Sequence, residues 1–149
     1  MAPNKKIEIV NRKAGFNFHI EDKFSAGIEL KGTEVKAIRQ NNVNMGDAYC
    51  LFDGEILILK NMHISEFKQA SFATHEPMRD RRLLLTKKEM VRLSKKAKTK
   101  GYTVFPIRLF ENEKGLFKIE IGVGQGKKTY DKREDLKEKD VKRDLERYK

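Results

Sequence analysis

The chain has 149 residues, 38% of them hydrophobic and 37% charged, and carries a net charge of +11. That is the length of one domain. It is too apolar for a wholly disordered chain, and no apolar run approaches the ~18 residues of a membrane helix. The single cysteine, Cys50, excludes an internal disulfide and a cysteine-based zinc site.

The opening Met-Ala-Pro-Asn-Lys-Lys has no apolar stretch behind it, so no secretory signal is expected and a reducing, cytoplasmic location is. Residues 16–30 read as one or two strands, interrupted near Ala26-Gly27. Thr33 can cap a short helix through Arg39, with Val35 and Ile38 inward and Glu34 in the first turn. Residues 48–52 and 55–59 are apolar runs joined by Asp53-Gly54, a hairpin signal because the tight turn needs positive φ. Thr86 and Glu89 form a capping-box pattern, Met90, Leu93 and Ala97 follow at helical spacing, and Gly101 ends the helix. Residues 102–110 and 116–123 are a second strand pair. In the latter, Phe117, Ile119, Ile121 and Val123 alternate with Lys118 and Glu120, which predicts one buried and one solvated face. Pro106 lacks an N–H, so its strand lies at an edge or carries a bulge. Gly122, Gly124 and Gly126 are expected to end the last strand. Short strands with few helices predict a mainly β domain with helical inserts over residues 1–126, a small barrel of the oligonucleotide-binding type.

Residues 127–149 stand apart: 17 of these 23 residues are charged, and Tyr130, Leu136, Val141, Leu145 and Tyr148 are the only large apolar or aromatic ones. So few groups cannot offset the entropy of ordering the segment. It is nevertheless rich in helix formers, with Asp135–Lys139 and Glu138–Lys142 as acid-before-base pairs at i,i+4. The expectation is a charged tail, disordered when free and helical when bound.

The positive charge is focused. Residues 79–100 hold 10 Lys/Arg against Asp80 and Glu89, and residues 127–149 hold 10 against 7 acids. A focused basic surface attracts a polyanion, and nucleic acid is the favoured partner. The plainer alternative is a lysine-rich helix face kept for solubility. Part of the block is helix physics, because Lys95, Lys96, Lys98 and Lys100 crowd the last turns of a helix. Arg79, Arg81 and Arg82 precede that helix and have no such explanation.

Catalytic patterns are absent. His19, His63 and His75 are far apart in sequence, with no partner at metal-ligand spacing. The line Gly122-Val-Gly-Gln-Gly126 lacks the Lys-Ser/Thr of a phosphate loop. Cys50 reads as an inert mid-strand thiol, no serine sits in a nucleophile elbow, and Glu21-Asp22 and Glu111/Glu113 read as solvated turn acids. No enzyme, cofactor, metal, small-molecule substrate or membrane partner is expected.

Particular strings carry a resemblance. They are Asn11-Arg-Lys-Ala14, Ala26-Gly-Ile-Glu-Leu-Lys-Gly-Thr-Glu-Val-Lys36 with Arg39, Asn61-Met-His-Ile64, His75-Glu-Pro-Met-Arg-Asp-Arg-Arg-Leu-Leu-Leu85 and Gly126-Lys-Lys-Thr-Tyr-Asp-Lys-Arg133. In this order and spacing the chain resembles the bacterial SsrA-binding protein family, small protein B, over essentially its whole length. The resemblance implies a protein that binds the tRNA-like domain of transfer-messenger RNA and escorts it to stalled ribosomes. It implies a tail that enters the empty message channel and the decoding site, and no catalysed reaction.

The resemblance also implies site residues. For the RNA-binding surface these are Asn11, Arg12, Lys13, Glu34, Lys36, Arg39, Arg79, Arg81, Arg82, Leu84 and Lys118. For the tail they are Lys127, Lys128, Tyr130, Asp131, Lys132 and Arg133, with Tyr130 stacking near the decoding bases. Ser25 stands where such proteins usually carry an acid. On physical grounds Lys118 and the arginines suit phosphates and bases. Leu84 reads equally as core, Asn11 equally as a turn or capping residue, and Phe16 more readily as core than as a stacking ring. The competing readings are a general RNA-binding or ribosome-associated module and an RNA-processing enzyme on the same barrel.

Overall fold

The structure, a computed structural model, describes residues 6–67 and 74–127. The elements in chain order are β1 (Glu8–Val10), α1 (Arg12–Asn17), β2 (Phe18–Ile28), α2 (Gly32–Arg39), β3 (Val43–Asn44) and β4 (Tyr49–Asp53). They continue with β5 (Ile56–Lys60), β6 (His63–Ile64), β7 (Arg81–Leu84), α3 (Lys87–Ala97), β8 (Tyr102–Glu111) and β9 (Phe117–Gly126).

The main sheet runs β8-β4-β5-β7-β2-β9, and β9 pairs back onto β8, so the ring closes. Closure removes the exposed edges that an open sheet would present. The result is the mainly β barrel expected. All its pairings are antiparallel, and β1 adds to the C-terminal half of β8 while β4 takes Val104 in the N-terminal half. The break between the two halves is the irregularity between Pro106 and Arg108, so of the edge and the bulge expected at the proline the structure takes the bulge. β3 and β6 form a separate two-stranded ladder.

The alternation in β9 is realised: Phe117, Ile119, Ile121 and Val123 are buried. They meet Phe24, Ala26, Leu57, Leu59, Leu83 and Leu109 inside the barrel, and Ala37 and Ile38 of α2 and Leu93 of α3 join the same core. Cys50 is buried there too, and desolvation raises its pKa far above the ordinary thiol range. α3 begins as expected, with the Thr86 hydroxyl accepting the Glu89 N–H and the Glu89 carboxylate accepting the Thr86 N–H. Gly101 follows the helix at φ 83°.

Several local expectations are corrected. Residues Arg12–Asn17 are a helix, and β2 then runs through Ala26-Gly27 without a break. Its register shift falls between Ile20 and Asp22 instead. The first hairpin pairs Asp53 with Ile56, so its turn is Gly54-Glu55, one residue later than expected. Lys31, not Thr33, precedes α2, and the Glu34 carboxylate accepts the Lys31 N–H at 2.8 Å.

β9 ends at Gly126, as expected of the glycine run, but Gly122 and Gly124 lie within the strand. The reason is steric. A Cβ on Gly124 would stand 1.9 Å from the His19 carbonyl oxygen, and one on Gly122 would meet Phe105 and Ile107 at 2.9 Å. Close packing explains Gly122 and Gly124, whereas Gly126 has open space around it. Asp22 and Glu111 are likewise not free turn acids. Asp22 binds Arg92 at 3.0 Å and Lys96 at 3.2 Å, and Glu111 binds Arg39 at 2.8 Å.

Candidate nucleic-acid interface

The outward face of the barrel is assembled from register. Leu84 on β7 stands opposite Gly27 on β2, which stands opposite Lys118 on β9, which stands opposite Phe110 on β8. These four form one row on one face. Strand alternation explains the choice of side chains: Leu83 is buried at 3% exposure, whereas its neighbour Leu84 is 46% exposed. Of the two readings open for Leu84, the structure takes the exposed one. Gly27 leaves the row bare at its middle, where Leu84 fills the space; an added Cβ would meet the Leu84 Cβ at 3.4 Å.

One outward row along, Ser25 faces Glu120, which faces Arg108. Arg108 reaches Glu120 at 3.5 Å and Glu8 at 3.7 Å, and its guanidinium lies 4.2 Å from the centre of the Phe110 ring. Phe110 and Arg108 were not among the expected site residues. Their signal was present in the alternation of β8, but the bulge after Pro106 hides which face they take. A strip of this kind offers leucine and an arginine-covered ring to a base or sugar, and Lys118 to a phosphate.

The basic string divides by the same alternation. Arg82 is exposed on the outward face, opposite Ile58. Arg81 is fully buried. Its Nε donates to Glu34 at 2.5 Å, and its remaining nitrogens donate to the carbonyls of Met62, Arg79 and Pro77. The phosphate-forking role expected of Arg81 is therefore corrected: its donors are spent inside the protein. Glu34 is equally buried and also receives Arg79. Burial by itself would raise the Glu34 pKa. The hydrogen bonds from Arg79, the Lys31 N–H and Arg81 outweigh it and hold the carboxyl below its usual range. The three side chains tie α2 to the segment leading into β7.

His75 completes this junction. It is 3% exposed, with Nε2 2.8 Å from the Ile64 carbonyl oxygen and Nδ1 2.8 Å from the Thr33 hydroxyl. A carbonyl can only accept, so Nε2 donates to it, and Nδ1 is hydrogen-bonded to the Thr33 hydroxyl. This is the structural role that the sequence favours for a lone histidine.

Asn11 is buried at 8% exposure and its Nδ2 donates to the carbonyls of Met45 and Pro106. It fastens the start of α1 to the β8 bulge, while Arg12 and Lys13 next to it are exposed. Lys36 and Arg39 are exposed on α2. Lys36 lies over Phe67 at 5.4 Å and Arg39 over Phe117 at 5.3 Å. Phe16 is half-buried. Of the tail residues, the Lys127 N–H donates to the Asn17 carbonyl at 2.7 Å. Lys128, Tyr130, Asp131, Lys132 and Arg133, and the tail's expected disorder and helicity, lie outside the described residues. So the structure brings together Arg82, Leu84 and Lys118 on one face, sets Lys36 and Arg39 on α2, and places Asn11, Glu34 and Arg81 beneath the surface.

Residues 8–149 match the family model described as SmpB protein. The chain belongs to the SmpB family. The SsrA-binding protein of Cytophaga hutchinsonii is 49% identical over 143 residues, covering 96% of this chain and 94% of that one. The SsrA-binding protein of Phocaeicola vulgatus is 47% identical over 141 residues, covering 95% and 94%. A solved chain described as "tmRNA-SmpB: a journey to the center of the bacterial ribosome" superposes with a TM-score of 0.71 at 36% identity, over 87% of this chain and 94% of that one. Among the described residues of this SmpB chain, no group of three or more His, Cys, Asp or Glu could hold a metal ion. None of its described helices is long and apolar enough to cross a membrane.

Proposed function

We propose that this chain binds transfer-messenger RNA at its tRNA-like domain and delivers it to stalled ribosomes. The observation that carries this reading is the near-full-length identity to proteins named for binding SsrA. The neighbour's description, which couples tmRNA and SmpB with the bacterial ribosome, supports it. The outward row from Leu84 to Phe110, with Arg82 beside it, is the part of the barrel that meets the RNA. Lys36, Arg39, Arg12 and Lys13 supply further cations around it. Asn11, Glu34 and Arg81 act beneath, by holding the elements that present these groups, and the partly exposed Arg79 joins them through Glu34.

The tail, residues 127–149, enters the empty message channel. Lys127, Lys128, Lys132 and Arg133 meet phosphates there, Asp131 limits indiscriminate sticking, and Tyr130 stacks near the decoding bases. The protein acts by binding, in the cytoplasm, and catalyses no reaction itself.

The test is binding to the tRNA-like domain against an equal mass of tRNA across a salt series. A preference that survives moderate salt supports recognition of RNA shape. Equal binding that collapses with salt reduces the chain to a general RNA-binding module. Deleting residues 127–149 should spare this binding and abolish tagging of stalled products; equal loss of both would sink the division of labour.

A further inference from the structure

α3 has two unlike polar faces. Arg92 and Lys96, one turn apart, are tied to Asp22, and Arg92 also lies over the Phe24 ring at 4.8 Å. Lys87, Lys95 and Lys98 make no ion pair among the described residues. Together with Val91 they fall at i, i+4, i+8 and i+11, a single stripe of the helix. That stripe lines a groove of about 570 Å³ between α3 and the β4–β5 turn. Its floor is apolar: Phe52, Leu85, Met90 and Val91, the last 55% exposed. Glu55 is the acidic residue in the lining, so the groove carries three lysines against one carboxylate. Leu85 in its lining directly follows Leu84 of the outward row at the end of β7.

Charge decides the occupant. The chain's own tail carries 10 Lys/Arg against 7 acids, and a second copy carries +11, so both are repelled from a lysine rim. An RNA strand matches on both counts, with phosphates for the lysines and a base face for the apolar floor. We propose that this groove is a second RNA contact, taking one unstacked base against Phe52, Met90 and Val91 and the flanking phosphates on Lys87, Lys95 and Lys98. The RNA that covers the Leu84–Lys118 row continues into it around the end of β7. This inference rests on the RNA-binding reading above.

The test compares two variants of equal charge in the full chain, with the tRNA-like domain and tRNA as probes. One is Lys87→Gln, Lys95→Gln and Lys98→Gln. The other is Lys88→Gln, Lys100→Gln and Lys114→Gln, which removes three exposed lysines outside the groove. Glutamine keeps helix propensity, so both should melt like the parent. The groove variant should lose at least about tenfold in affinity for the tRNA-like domain, and its slope of log K against log salt should fall by about two, as expected for roughly three lost phosphate contacts. The control should lose much less. Val91→Glu tests the floor separately and should weaken binding about tenfold. Equal losses in the two lysine variants, or an unaffected Val91→Glu, would overturn the groove. Parent binding without preference for the tRNA-like domain would instead sink the transfer-messenger RNA reading. The comparison of groove with control would still decide the groove, read on tRNA.

Discussion

Glu34 and Arg81 form an ion pair in which neither side chain is exposed to solvent, joined through Oε2 and Nε at 2.5 Å. Removing one partner of such a pair leaves a buried charge uncompensated, which typically costs about 3–5 kcal/mol. Glu34→Gln and Arg81→Met should each destabilise on that scale in urea unfolding. The double variant should cost less than the sum. An additive double variant would mean that the two residues act independently. The same singles should weaken RNA binding only as far as they loosen α2 and β7.

The pair also sets an acid limit. Glu34 titrates below its ordinary value in the folded state, so its stabilisation is complete above the unfolded pKa of about 4.5 and is lost as pH falls toward the lower folded value. Asp22 follows the same sign: burial raises its pKa, but the Lys23 N–H, Lys96 and Arg92 lower it further. The stabilisation these two carboxylates supply should therefore decline below about pH 5. The decline should be shallower in Glu34→Gln. Unchanged slopes in that variant, followed by denaturant melts from pH 3 to pH 7, would count against this assignment.

Gly122 and Gly124 should respond differently to the same methyl group. At Gly124 the added Cβ meets backbone, the His19 carbonyl, at 1.9 Å, so β2 and β9 must separate. Gly124→Ala should cost more than about 4 kcal/mol or prevent folding. At Gly122 the obstruction is side chains, Phe105 and Ile107, which can shift, and the cost should be about 1–3 kcal/mol. Circular dichroism melts of the two variants give the comparison.

Leu84 offers a binding test with little structural cost. Being nearly half exposed, it can be changed to Glu within about 0.5 kcal/mol of stability. Leu84→Glu should nevertheless reduce affinity for the tRNA-like domain by at least about tenfold, through the lost apolar contact and repulsion of phosphate. A folded Leu84→Glu variant with parental affinity would remove this row from the interface.

His75 is expected to matter for folding alone. His75→Ala leaves the Ile64 carbonyl without its side-chain donor and opens a buried site, for a loss of about 2–4 kcal/mol. His75→Asn should recover part of it by restoring one donor. Hydrogen exchange around residues 64 and 33 would localise the effect.

The sequence by itself determined what repeats locally. Period-two alternation marked β9, the Thr86–Glu89 pair marked the start of α3, Pro106 marked an edge or a bulge in its strand, and the run at 79–100 marked a concentration of positive charge. Each rests on neighbours within a few positions of one another. Tertiary structure alone decided which basic residues face outward. Arg81 and Arg82 are identical in type and adjacent, yet strand alternation buries one against Glu34, 47 positions away, and exposes the other. It alone decided that Gly124 serves close approach to His19 and Gly122 close packing against Phe105 and Ile107. It alone set Leu84, Gly27, Lys118 and Phe110 in one row, because the ring brings β7 and β2 beside the consecutive strands β8 and β9, which the chain keeps far from them. A short-range pattern can specify an element and its two faces. Which face meets the core, and which distant partner neutralises a buried charge, is fixed only when the ring closes.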